Sequence, residues 1–289
     1  MGCTGSIPED IVDQFDEMGY VVLRGFFDGS VVDRAIEAMT PLVDACAAEL
    51  VAEGVHQDML SRESFERRLS RLYEPCMEKA PSIFRRELHL AGLYDVFFHS
   101  RLLDAVEMIL GSEIRLYPNY SVRPKLPDHA KTLVLWHQDG GYTQNAHLAG
   151  IHEERAVEVL RMVNIWCPLV PATEFNGCMQ FIPRTHKLGL VPHEGREFYL
   201  EISAAALEPF LDQAASIELD PGDVVLFHNM LFHQGLPNRS DAVRWSMDWR
   251  YQDATQSTLR KEEGHMARSS RDDADVVKNA ADWVSRSFQ

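Results

Sequence analysis

The chain has 289 residues, 45% of them hydrophobic and 25% charged, enough for one large β-rich domain with helical additions or for two smaller domains, and too apolar for disorder. Acidic residues exceed basic ones by 44 to 28, and the resulting formal charge of −16 opposes attraction to nucleic acid or to an anionic membrane. Cys3, Cys46, Cys76, Cys167 and Cys178 lack Cys-x-x-Cys spacing and suit a reducing, cytoplasmic setting, no apolar run approaches the ~20 residues of a membrane span, and the first residues lack a signal-peptide pattern.

In chain order, Met1-Gly2-Cys3-Thr4-Gly5-Ser6 fits an N-acylation pattern of a length that recurs by chance. Ile11, Phe15 and Met18 are spaced for a helix over 6–18, ended by Gly19, and Tyr20-Val21-Val22-Leu23-Arg24 reads as a strand. A helical pattern over 30–53 is interrupted at Pro41, and residues 58–110 are mostly helical, with Leu102, Leu103, Val106 and Leu110 on one face before Gly111.

From Ile114 the character changes to short strands, predicted at 114–123, 132–137, 162–169, 179–182, 217–219, 224–228 and 243–251. Asn176-Gly177 and Pro221-Gly222 are turn signals between them. Many short strands without βαβ alternation imply a sandwich or barrel rather than a Rossmann-like sheet. With no linker or repeat, the expectation is one domain over 1–289: a helix-rich part to about 112, a β core over about 113–255 buttressed by those helices, and a C-terminal extension.

The strongest local signal is Trp136-His137-Gln138-Asp139-Gly140-Gly141 at the end of a predicted strand. Alternation along an extended segment puts His137 and Asp139 on one face, where both can bind one metal ion. Two imidazoles and a carboxylate on one face of an octahedron suit oxygen-activating Fe(II), and both His228 and His233 are candidates for the third ligand.

Further on, alternation along 243–251 places Arg244, Ser246, Asp248 and Arg250 on one face and Trp245, Met247, Trp249 and Tyr251 on the other. A polar face turned into a barrel lets Arg244 grip a carboxylate through its guanidinium fork, with Ser246 as a second donor. That is a dicarboxylate anchor. Arg250, Arg123 and Lys125 are further cations that suit a small anionic substrate or pairing with acids.

His-x-Asp, a distant His and an Arg eleven residues later resemble the phytanoyl-CoA dioxygenase family of Fe(II)/2-oxoglutarate oxygenases. Asp16-Glu17-Met18-Gly19-Tyr20-Val21-Val22-Leu23 is similar to the family's opening helix and strand. So is Asn176-Gly177-Cys178-Met179-Gln180-Phe181-Ile182-Pro183-Arg184-Thr185-His186-Lys187, although Arg184-Thr185 stands where Gly-Ser is usual. The resemblance covers roughly residues 8–255.

It implies a double-stranded β-helix, the jelly-roll or cupin-like core, with iron held by His137, Asp139 and His233. His228 then becomes a structural neighbour. The resemblance further implies that Arg244 and Ser246 bind the far carboxylate of 2-oxoglutarate, that Gln138 and Trp166 lie near this co-substrate, and that O2 is the oxidant. Relatives that halogenate lack the carboxylate of the first motif, so Asp139 implies hydroxylation of a small organic substrate, with succinate and CO2 released.

The segment 147–161, charged and helix-patterned, reads as an insertion, either a lid or a solvated helix. Two other readings use the same residues. A cupin-type isomerase or hydrolase with another divalent metal has no need of Arg244-x-Ser246, and an inactive binding module has no need of an intact ligand set.

Overall fold

The computed structural model describes residues 5–148, 157–197 and 199–288, so most of the acylation pattern and most of the 147–161 segment lie outside the described residues. The helices are α1 (Ile11–Met18), α2 (Gly29–Ala52), α3 (Phe65–Tyr73), α4 (Ala91–Phe97), α5 (Ser100–Leu110), α6 (Asp139–Leu148), α7 (Ala204–Leu207) and α8 (Ala280–Ser285). The strands are β1 (Tyr20–Leu23), β2 (Ile114–Leu116), β3 (Ser121–Lys125), β4 (Val134–His137), β5 (Met162–Pro168), β6 (Met179–Ile182) and β7 (His193–Gly195). They continue with β8 (Leu200–Ile202), β9 (Ala215–Ile217), β10 (Val224–His228), β11 (Phe232–Gly235), β12 (Arg244–Asp253) and β13 (His265–Arg268).

Seven strands form one sheet in the order β1-β10-β5-β12-β2-β13, with β3 also paired to β12, and four form a second in the order β4-β11-β6-β9. The large sheet has one apolar and one mixed face because its strands alternate. Val163, Ile165 and Cys167 of β5, Val224 and Leu226 of β10, and Trp245, Met247, Trp249 and Tyr251 of β12 join the helix residues Val31, Ala35, Met39, Leu102 and Val106 in one buried cluster. The intervening side chains, Trp166, Val225 and Phe227, join Phe181 of the small sheet in another. The helices therefore cover one face, and the small sheet lies over the other.

Several expectations change in detail. α1 begins at Ile11 rather than residue 6. α2 runs through Pro41, whose ring lies on the exposed face together with Glu37, the residue whose carbonyl loses its partner; water can satisfy that carbonyl while Met39 and Val43 stay buried opposite. The run 114–123 divides into β2 and β3 around Pro118. β7, β8, β11 and β13 are short strands that residue patterning did not mark, and all are four residues or fewer.

The turn at Arg184 survives the loss of glycine. Arg184 takes a left-handed backbone, φ +68°, and its side chain reaches Glu17 at 2.8 Å while its amide donates to the Met18 carbonyl. Cys46, Cys76, Cys167 and Cys178 are free thiols, and no helix among the described residues is long and apolar enough to cross a membrane.

Candidate metal centre and adjoining cavity

The two imidazoles come from neighbouring antiparallel strands of the small sheet: His137 ends β4, His233 lies in β11, and the two are register partners. Each ring donates from Nδ1 to the carbonyl two residues earlier, His137 to Leu135 at 2.7 Å and His233 to Leu231 at 2.8 Å. A carbonyl can only accept, so the proton sits on Nδ1 and the Nε2 lone pair is left for a metal. The ring centroids are 4.0 Å apart.

Asp139 reaches the same point by a different route from the one alternation suggests. β4 stops at His137, and Asp139 is the first residue of α6 rather than part of an extended segment. Its Oδ1 lies 3.7 Å from His137 Nε2 and its Oδ2 3.9 Å from His233 Nε2. Ligand atoms of all three buried residues fall within 4.8 Å of one another, so the donor set and its spacing fit one divalent cation. Gly140 lets this helix start approach the turn between β10 and β11, since a Cβ there would lie 2.6 Å from the Met230 sulfur.

Two partners hold the Asp139 carboxylate. Asn164 of β5 donates to Oδ2 at 2.7 Å, and Arg250 of β12 pairs with Oδ1 at 2.6 Å. Burial opposes ionisation, but Arg250 and the two imidazoles outweigh it and keep the carboxyl well below the usual carboxylate range. Burial, then the neighbouring His137, lowers His233 to about 3. The neutral imidazole and the anionic carboxylate are the forms that bind a cation.

His137, Asp139 and His233 line a cavity of about 310 Å³ between the sheets. Arg244 and Ser246 of β12 line it too, with Trp166 and Lys125. Arg244 is buried, donates from Nη1 to Ser246 Oγ, and lies 5.3 Å from the centroid of the Trp166 ring. It has no acidic partner among the described residues, and its Nε is buried without an acceptor. Burial lowers its pKa to about 10, which still leaves it cationic at neutral pH. An uncompensated buried guanidinium with an open donor fits an anion such as the far carboxylate of 2-oxoglutarate.

Gln138 lies elsewhere. Its Nε2 donates to the carbonyls of Gly189 and Met230, both at 2.7 Å, and its Oε1 accepts from Val191 N at 2.9 Å. It is absent from the cavity lining and ties together the backbone behind the metal ligands. His228 also stands apart, its Nδ1 accepting from Met230 N at 3.1 Å and its ring against Phe15 and His186.

Sequence reasoning did not find Asn164, Arg85, Tyr142, Tyr199 or Arg260, which the fold brings to Asp139 or to the cavity. Alternation along β5 would place Asn164 beside Trp166, but nothing in the sequence links it to Asp139. Arg123 and Arg250 do pair with acids, Asp248 and Asp139 of the cavity wall.

The family model described as phytanoyl-CoA dioxygenase (PhyH) matches residues 15–246. A 1-deoxypentalenic acid 11-beta-hydroxylase of Streptomyces arenae is 29% identical over 269 residues, covering 88% of this chain and 84% of the relative. A phytanoyl-CoA dioxygenase of Arabidopsis thaliana is 25% identical over 268 residues, covering 84% and 88%.

Among solved structures, EvdO2 from Micromonospora carbonacea var. aurantiaca superposes with a TM-score of 0.63 at 18% identity, covering 88% of this chain and 94% of that one. EctD from S. alaskensis with 2-oxoglutarate and 5-hydroxyectoine gives a TM-score of 0.59 at 18% identity, covering 94% and 86%. These structural likenesses concern the fold.

Proposed function

Because the chain belongs to the phytanoyl-CoA dioxygenase family, we propose that His137, Asp139 and His233 hold its iron(II) and that Arg244 with Ser246 holds the far carboxylate of 2-oxoglutarate. The enzyme is a non-haem iron(II) dioxygenase with 2-oxoglutarate as co-substrate. It hydroxylates a C–H bond: the substrate, O2 and 2-oxoglutarate are consumed, and the alcohol, succinate and CO2 are released. Bound iron supplies the site at which dioxygen and the co-substrate react.

The chain's own residues have defined tasks in this reading. The Leu135 and Leu231 carbonyls fix the two imidazole tautomers, and Asn164 and Arg250 hold the carboxylate in place. Trp166 flattens one wall beside the Arg244 guanidinium. Gln138 acts as a positioning residue through the backbone it bridges. The two antiparallel sheets that enclose the cavity favour the jelly-roll form of β core, and the continuous helix-sheet core favours one domain.

The observation that carries the reading is the pairing of a metal triad with a buried arginine that has no acidic partner among the described residues, in one cavity. An isomerase or hydrolase on a similar core has no use for that arginine. Asp139 also favours hydroxylation over halogenation, in line with the name of the Streptomyces relatives.

Release of succinate from 2-oxoglutarate in the presence of Fe(II) and O2 tests the proposal. Formation is expected in the natural protein and loss in His137→Ala and Asp139→Ala. Equal rates in all three would refute it.

A further inference from the structure

Six cationic side chains line the cavity, Arg85, Arg123, Lys125, Arg244, Arg250 and Arg260, against two carboxylates, Asp139 and Asp248. The acids are already matched. Arg250 pairs with Asp139 at 2.6 Å, and Arg123 donates from Nε to Asp248 at 2.6 Å, where Ser121 adds a second bond. Arg244 and Lys125 are register partners on β12 and β3 and belong to the co-substrate pole, with Lys125 Nζ donating to the carbonyls of Gly235 and Leu236. A divalent cation and a dicarboxylate then cancel one another. Four of the six cations then lack a counter-charge among the described residues: burial holds Lys125 well below the usual lysine range, Arg244 serves the co-substrate in this reading, and Arg85 and Arg260 are left over.

Both are fixed in place. Arg85 follows Phe84, which is tied to Val122 of β3 by an antiparallel bridge, and its side chain makes no hydrogen bond or ion pair among the described residues. Its Nε is buried without an acceptor. Arg260 lies in the loop after β12; its Nε donates to the Tyr117 hydroxyl at 3.1 Å, and its guanidinium lies 5.6 Å from that ring's centroid. Tyr117 anchors the loop by donating to the Thr258 carbonyl at 2.8 Å. Burial and then the repulsion of Arg123 lower Arg85 to about 10, so it remains charged at neutral pH.

We infer that Arg85 and Arg260 form an anion subsite for the primary substrate, which is a compact organic acid held by its carboxylate with its apolar body toward the metal centre. This rests on the oxygenase reading for the identity of the cavity, and its basis is the charge imbalance. Half-buried guanidiniums without a counter-charge are costly, and a carboxylate accepting paired N–H bonds removes that cost. The apolar part of the lining, Ile83, Val134, Met179 and Phe227, suits a hydrocarbon body. At about 310 Å³ the cavity is at the small end of ligand pockets and must also admit 2-oxoglutarate, which leaves room for a compact molecule rather than an enclosed coenzyme A thioester.

Anaerobic calorimetric titration of the Fe(II)-loaded full chain tests the subsite, with cyclohexanecarboxylate, its methyl ester and methylphosphonate as probes, each in the presence and absence of saturating 2-oxoglutarate. The acid is expected to bind 2-oxoglutarate-saturated protein at least about tenfold more tightly than the ester. Arg85→Gln and Arg260→Gln should each weaken the acid by about tenfold or more, with Arg85→Lys recovering part of the loss, while the affinity for 2-oxoglutarate changes less than about twofold.

Equal binding of acid and ester, or no binding of the acid, overturns the proposal. So does a loss of 2-oxoglutarate affinity as large as the loss for the acid, which would assign these arginines to the co-substrate. Preference for methylphosphonate overturns the carboxylate assignment. Binding of the acid with no binding of 2-oxoglutarate instead contradicts the oxygenase reading and leaves the anion subsite standing.

Discussion

Arg250 joins the β12 face to the metal centre, since one guanidinium lies 2.6 Å from Asp139 and 3.8 Å from Asp248. Removing it leaves the carboxylates of Asp139 and Asp248 with less compensation, so Arg250→Met should lower Fe(II) affinity about 10- to 100-fold, read by competition against a metal-sensitive dye. Arg244 acts at the other pole. Arg244→Gln should cost about 2–3 kcal/mol of 2-oxoglutarate binding, roughly 30- to 150-fold in KM, with iron affinity unchanged. A KM that stays put would remove Arg244 from the co-substrate site. Gln138 differs from both because all its side-chain bonds go to backbone; Gln138→Leu should destabilise the fold by about 2–4 kcal/mol in denaturant titration, whichever ligand is present.

At the scale of elements, β12 was the most legible part of the chain. Its strict alternation of Arg, Ser, Asp and Arg with Trp, Met, Trp and Tyr fixes both its face and its role: the aromatic side is fully buried against helices, and the polar side lines the cavity. The convergence of His137 and Asp139 was expected, but for the wrong local reason, since a helix start and not strand alternation brings the carboxylate round. The choice of His233 over His228 was not readable from either strand alone; it needed the pairing of β11 with β4, or the family pattern. Asn164, Arg85 and Arg260 were illegible because long-range pairing brings them in, as with Asn164, 25 residues from the carboxylate it holds.

Turn chemistry was easier to read. Asn176-Gly177 was a turn signal, and Gly177 has φ +91°, where an added Cβ would lie 2.4 Å from the Leu236 carbonyl oxygen. Gly177→Ala should therefore lower stability by more than about 1 kcal/mol, read as a shifted urea midpoint, and an unchanged midpoint would mean that the β5–β6 connection relaxes freely.

Over the whole molecule, the excess of acidic residues sits with a cavity of the opposite sign, so the net charge of −16 describes the surface and not the site. Two histidines shielded from water make the fold sensitive to acid. Burial lowers His228 to about 4, with His186 adding to the effect, and burial lowers His265 to about 4, with His89 adding to it. Groups held neutral in the folded state bind protons first in the unfolded chain, so their stabilisation is complete above about pH 6.5 and falls as pH drops toward 4. The thermal midpoint should fall across that window, and His228→Phe should flatten the fall; a slope identical to that of the natural protein would exclude His228 as a cause.

The central claim is that one cavity between the two sheets holds iron(II) and 2-oxoglutarate together. Its most direct test is the visible absorption of the anaerobic protein with both added. A weak metal-to-ligand charge-transfer band should appear only when both are present, vanish in His233→Ala, and require much more 2-oxoglutarate in Arg244→Gln. No band at saturating iron and co-substrate, or an undiminished band in His233→Ala, would contradict the account.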